Sequence, residues 1–330
     1  MQNILRGSRK RTKRGTLALI FAWGLAAAAA GQAPAAEEAA EARPLDEERS
    51  RLFEERGGAF VQAGPALTHY FDFGDPAARS TLVFLHGFCG TGLEAAAIAA
   101  PFVEAGYRVV APDWPGAGLS EALPACTMAN LVAWLDAFGG ELGLGRFALA
   151  GHSLGGFLAA AYAADHPDSV EALVLLDPAG FKEEFGDRVR ALASSRFFVD
   201  AAAFLYIPWY YELFQYGSVF EDRERAPEEI LAFAAASLAT RAGREGVKTI
   251  AGGIIAREPD LDDLAAVEAP VLLVWGKEDR VLPYQHWTKF IAALPAGALL
   301  RSLEDCGHAP HLEKPAETAE IMLDFLLGGS

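Results

Sequence analysis

Short apolar runs rich in β-branched residues recur along the chain at Thr81–Leu85, Arg108–Ala111, Phe147–Ala150, Ala172–Leu176, Val271–Trp275 and Leu299–Leu303. Most are bounded by Gly, Pro or Asp. Their apolar positions are consecutive rather than alternating, the pattern of strands buried on both faces. Ala- and Leu-rich stretches with helical character, such as Gly155–Asp165 and Ala316–Leu327, separate several of them. Strands alternating with helices predict a mostly parallel sheet with helices on both faces. Upstream, Ala59–Gln62 and Ala66–Phe73 flank a Gly-Pro turn and predict an antiparallel hairpin, which brings the sheet to eight strands. In such α/β sheets the working residues sit on loops beyond the C-terminal ends of the strands.

One interval breaks the alternation. Residues 180–263 hold no good strand, and ten of the 24 residues from Phe197 to Phe220 are aromatic. The expectation is a helical insertion that buries its own core and caps the site, with aromatic side chains lining a pocket. A membrane-contacting patch is the competing reading. The sheet-forming core then comprises residues 58–179 and 264–330.

Charge and hydropathy change the picture mainly at the N-terminus. The first 30 residues carry six basic side chains and no acid, so the remainder is more acidic than the chain's net charge of −16. A body that acidic is repelled by phosphate backbones and anionic headgroups, so neither nucleic acid nor strong membrane association is expected. After the basic stretch comes an apolar run from Thr16 to Ala30, then small residues with an A-x-A pattern at Ala28–Ala30 and Ala33–Ala35. These are the parts of a secretory signal peptide, so residues 1–35 predict export to the periplasm or the exterior. An uncleaved N-terminal anchor is the alternative. Residues 36–57 read as a tether with a short charged helix. The chain's cysteines, Cys89, Cys126 and Cys306, are too few for a disulfide scaffold and read as small buried hydrophobes.

The candidate chemistry centres on Gly151-His152-Ser153-Leu154-Gly155, a G-x-S-x-G pattern directly after one strand and before a helical run. A turn that tight forces its middle residue into a strained conformation and exposes the Ser153 hydroxyl at a helix N-terminus. A serine hydroxyl needs a base to take its proton. His308, in Asp305-Cys-Gly-His308 just past the last strand, is the candidate. His311 is the rival, with Pro310 constraining the backbone before it; its structural reading is a polar residue at the loop edge or beside the following helix. The base in turn needs a carboxylate to fix its tautomer. Asp279 and Asp177 both end apolar strands and both give the order Ser, Asp, His; Asp279 is favoured and Asp177 is the alternative acid. The backbone N–H groups of Leu154 and of Phe88, in Leu85-His86-Gly87-Phe88, are the candidate oxyanion donors. His86 reads as a structural loop residue. Neither H-E-x-x-H nor a G-x-G-x-x-G after a strand occurs, so the motifs imply no metal and no cofactor.

Together these residues resemble the α/β-hydrolase superfamily over roughly Ala59 to Leu327, and Asp113-Trp-Pro-Gly-Ala-Gly-Leu-Ser120 resembles that superfamily's D-x-P-G-x-G-x-S turn. Leu176-Asp-Pro-Ala-Gly180, Trp275-Gly-Lys-Glu-Asp279 and Asp305-Cys-Gly-His308 are most similar to the monoacylglycerol-lipase-like and C–C-bond-hydrolase branches. The resemblance implies a serine hydrolase with a cap between Asp177 and Asp279. An export signal and an aromatic cap favour esters of apolar acyl groups as small-molecule substrates. A C–C-bond hydrolase, lactonase, aminopeptidase or perhydrolase with the same three residues is the enzymatic alternative. A ligand-binding pseudoenzyme or receptor is the non-enzymatic one.

Overall fold

The structure, a computed structural model, describes residues 47–180, 218–255 and 262–328. The expected signal peptide (1–35), most of the tether and most of the aromatic-rich insert lie outside the described residues. No helix among the described residues is long and apolar enough to cross a membrane.

An eight-stranded sheet organises the chain, in the order β1-β2-β4-β3-β5-β6-β7-β8. Its strands are β1 Ala59–Ala63, β2 Ala66–Phe73, β3 Ser80–Leu85, β4 Tyr107–Pro112, β5 Phe147–His152, β6 Val170–Leu176, β7 Val271–Gly276 and β8 Leu299–Leu303. The hairpin pairs β1 with β2, and β2 pairs antiparallel with β4. From β4 through β3, β5, β6, β7 and β8 every pairing is parallel. The central strands β4, β5 and β7 are buried at every position, which is why their sequences lack alternation.

Helices cover both faces. On one, α3 (Met128–Glu141), α4 (Leu154–Asp165) and α7 (Trp287–Ala293) pack Trp134, Leu135, Phe138, Leu158 and Phe290 against Val83, Leu149 and Leu173 of the sheet. On the other, α2 (Ala96–Glu104) and α9 (Pro315–Leu326) pack Ile98, Phe102, Ala319 and Met322 against Leu82, Val109 and Val274. Full burial of such side chains is worth about 1.5–3 kcal/mol each. The charged stretch before the sheet forms α1 (Glu47–Arg56) and is more than a surface segment. Its Leu52 is buried with Phe71, Leu119 and Phe233, and Arg49 donates to the Leu119 carbonyl at 3.2 Å.

The described part of the insert is helical, with α5 (Glu228–Ala239) and α6 (Arg241–Ile250). Phe220, Leu231, Ala234 and Val247 pack with Cys89, Ala309 and Leu312, that is, with the loop after β3 and the chain that follows β8. This part of the insert therefore sits over the C-terminal ends of the parallel strands.

Candidate active site

Ser153 lies between the end of β5 and the start of α4, with φ of 52°. A non-glycine residue there costs on the order of 1–3 kcal/mol and persists only if its surroundings enforce it. Two glycines let them do so. A Cβ on Gly151 would stand 2.3 Å from the Gly155 carbonyl oxygen, and one on Gly155 would stand 2.3 Å from the His86 carbonyl oxygen. Only hydrogen fits at either place, so strand, turn and helix close on one another and Ser153 is thrust outward.

His308, in the loop after β8, meets it there. His308 Nδ1 donates to Asp279 Oδ2 at 2.7 Å, which fixes the neutral ring's tautomer and leaves Nε2 as an acceptor. Ser153 Oγ lies 2.9 Å from Nε2, placed to donate its proton. Asp279 Oδ1 accepts the backbone N–H groups of Val281 and Leu282 at 2.7 and 2.8 Å. Three donors thus fix this carboxyl in place and aim Oδ2 at the ring. His308 and Asp279 are buried, and Ser153 keeps partial exposure. A hydroxyl, a base and a buried anion in line can move a proton off oxygen and stabilise the imidazolium that results.

The loop after β3 forms the opposite wall. Gly87 sits so close that a Cβ there would be 3.3 Å from Ser153 Cβ, and Phe88 follows it. Leu154 begins α4, where the helix has no intrahelical partner for its N–H. His86 serves this loop structurally: it is fully buried, and Trp114 donates its indole N–H to His86 Nδ1 at 2.8 Å.

Asp177 stands apart from this chain of bonds. Its Oδ1 accepts from Gly276 N–H at 3.0 Å, and no hydrogen bond to His308 is made. Burial, reinforced by the neighbouring charge of Asp279, raises its pKa well above the ordinary carboxylate value.

His311, expected at the loop edge or beside the following helix, lies in the short turn α8 (Pro310–Glu313) just before α9 and is wholly buried. His311 Nε2 donates to Glu94 at 3.1 Å, away from Ser153. His152 is buried too, and its Nε2 donates to the backbone carbonyl of His308 at 2.8 Å. Burial, then the neighbouring His311 and His308 rings, keep its pKa well below the ordinary imidazole value, so it acts as a neutral strut.

Two supporting residues escape a reading of the sequence. Glu94 comes from the turn before α2 and meets a histidine 217 positions away. Glu313 accepts from Gly307 N–H at 2.7 Å and from the Glu221 and Asp222 N–H groups at 3.2 and 2.8 Å. It therefore ties the histidine loop to the described part of the insert, where His308 N–H also donates to the Val219 carbonyl at 2.6 Å. An acid five residues past His308 was the available signal, but nothing local tells what it binds.

Two trios gather potential ligand atoms within 4.8 Å of one another: Glu94, His152 and His311, and Asp177, Asp279 and His308. The second is already engaged through the His308–Asp279 bond, and the first through the His311–Glu94 bond. All three thiols are buried and unbridged, and burial pushes that of Cys126 up to about 12. Such thiols are poor nucleophiles at neutral pH.

Comparison with known proteins bears on this geometry. The family model for the alpha/beta hydrolase fold matches residues 80–315. The chain is 31% identical over 250 residues to the dihydrolipoyllysine-residue acetyltransferase component of an acetoin cleaving system from Cupriavidus necator, covering 76% of this chain and 64% of that protein's length. It is 29% identical to a 2-hydroxy-6-oxononadienedioate/2-hydroxy-6-oxononatrienedioate hydrolase from Paraburkholderia phymatum, over 81% of this chain and 93% of the relative. Among solved structures it resembles a membrane phospholipase A described as a bacterial virulence factor, with a TM-score of 0.68 and 27% identity, over 86% of this chain and 92% of that one. Sheet order, elbow and family match agree: the chain belongs to the α/β-hydrolase fold family and is a hydrolase.

Proposed function

We propose that the protein cleaves carboxylic esters of apolar acyl groups through an acyl-enzyme on Ser153. The observation that carries this reading is the unbroken line Ser153 Oγ, His308, Asp279, with bonds of 2.9 and 2.7 Å. His308 Nε2 takes the Ser153 proton as Oγ attacks the carbonyl carbon. The oxyanion that forms accepts hydrogen bonds from the Leu154 and Phe88 N–H groups. Its collapse breaks the bond to the leaving oxygen, which His308 protonates and which departs as the alcohol. Water, deprotonated by the same nitrogen, then attacks the acyl-enzyme and releases the acid. Each oxyanion donor contributes about 3 kcal/mol to such a step. The phospholipase likeness and the aromatic-rich insert support ester substrates.

Cleavage of a C–C bond by the same residues is the second reading, supported by the likeness to the oxononadienedioate hydrolase. A fluorophosphonate probe and parallel assays with p-nitrophenyl esters and a vinylogous diketone separate the two. The wild-type protein is expected to label stoichiometrically and to favour the esters. Faster diketone turnover would move the reading to C–C cleavage, and absence of both labelling and turnover would remove it.

We also infer that residues 1–35 direct export and are cleaved. N-terminal sequencing of protein recovered from a bacterial periplasm is expected to begin between Gly31 and Ala36. Met1 retained in a membrane fraction would favour the anchor instead.

A further inference from the structure

Asp177 is a fully buried carboxyl with a positive φ of 41°, yet no described donor reaches its Oδ2. Oδ1 alone is served, by Gly276 N–H. An ionised carboxylate left half-unsolvated in the interior is expensive. Beside it lies Asp279, one oxygen of each carboxyl and a ring nitrogen of His308 standing within 4.8 Å of one another. Two adjacent buried carboxyls do not both ionise; the better solvated one keeps the charge. Asp279 receives three hydrogen bonds, from Val281, Leu282 and His308, against one for Asp177. The excess proton belongs on Asp177, where it turns the orphan oxygen into a donor.

We propose that Asp177 is a positioning residue that stays protonated at working pH and donates through Oδ2 to Asp279, steadying the carboxylate that orients His308. This deepens, and rests on, the reading of Ser153, His308 and Asp279 given above. The groups facing Asp177 are Asp279 and His308, Glu313 of α8, and the thiol of Cys306. Burial, then Asp279, then Glu313 all oppose its ionisation, in line with the geometry.

Asparagine reproduces the proposed state. Its carbonyl oxygen accepts from Gly276 N–H and its amide donates to Asp279. Asp177→Asn is therefore expected to keep kcat/KM within about tenfold of wild type, whereas Asn in place of an ionised triad acid costs about 10⁴-fold. Asp177→Leu removes the donor and concentrates charge on Asp279. That favours the His308 imidazolium, so the acid limb of the kcat/KM–pH profile should move to higher pH. A purely structural role would lower the fraction of probe-labelled protein without moving that limb. Two readouts need no turnover. The wild type should show a protonated-carboxyl C=O stretch in the infrared at neutral pH that Asp177→Asn lacks. Folded Asp177 also holds a proton that the unfolded chain releases, so stability falls as pH rises above the unfolded carboxyl's pKa. The wild-type Tm should thus drop more between about pH 5 and pH 8 than that of Asp177→Asn. A 10⁴-fold loss in Asp177→Asn, an unmoved acid limb in Asp177→Leu, or no infrared difference would each overturn the proposal. Failure of the wild type to label at Ser153 would instead remove the ester-hydrolase reading and leave the infrared result standing.

Discussion

Ser153→Ala is expected to lower kcat for ester hydrolysis by about 10⁶-fold, with KM little changed. The size of the effect follows from what remains. In the proposed mechanism alanine deletes the attacking atom, so His308 and Asp279 have no proton to move and add almost nothing on their own. The Leu154 and Phe88 N–H groups and the contacts that bind substrate survive, and such remnants typically sustain about 10³–10⁴-fold over water. The fold should survive as well. Position 153 keeps its positive φ because Gly151 and Gly155 lock the backbone around it, and the Ser153 side chain makes its hydrogen bond to His308 from a partly exposed position. A thermal melt within a few degrees of wild type, together with lost turnover and lost fluorophosphonate labelling, is the expected pattern. Turnover within tenfold of wild type would place the nucleophile elsewhere.

The parts of this site that the sequence makes legible are those set by local backbone chemistry. A consecutive apolar run marks a strand buried on both faces, and β4, β5 and β7 follow that rule within a residue or two at each end. Gly151 and Gly155 flank Ser153 because only glycine fits the close contacts of the elbow, so a five-residue pattern carries its own geometry. His308 is legible from its place just beyond β8. The choice between Asp279 and Asp177 is different in kind. Both end parallel strands, β7 and β6, and the chain order is the same for either. The difference arises from the turn that follows Asp279, whose Val281 and Leu282 amides seize Oδ1 and swing Oδ2 toward the imidazole. Asp177 instead spends Oδ1 on the backbone of the neighbouring strand. Glu94, His152 and Glu313 were illegible for a related reason. Their remote partners lie 91 to 217 positions away, and a buried side chain carries no local periodicity that names its partner.

Asp279→Asn is expected to cost about 10⁴-fold in kcat while leaving KM nearly unchanged. The geometry dictates how. The Val281 and Leu282 N–H groups demand an acceptor at the Oδ1 position, so the asparagine carbonyl oxygen must sit there. Its amide nitrogen then occupies the place of Oδ2, 2.7 Å from His308 Nδ1, and offers a proton where an acceptor stood. Nδ1 can meet it only by giving up its own hydrogen, which moves the ring proton to Nε2. That nitrogen now points N–H at Ser153 Oγ and can no longer receive the hydroxyl proton. The imidazolium formed in the transition state also loses its buried counter-charge. Binding of the acyl group does not depend on the ring's tautomer, hence the split between kcat and KM. Steady-state kinetics on one p-nitrophenyl ester, normalised to folded protein, checks this. Should Asp279→Asn stay within tenfold of wild type while Asp177→Asn falls by orders of magnitude, the roles of the two carboxyls are exchanged.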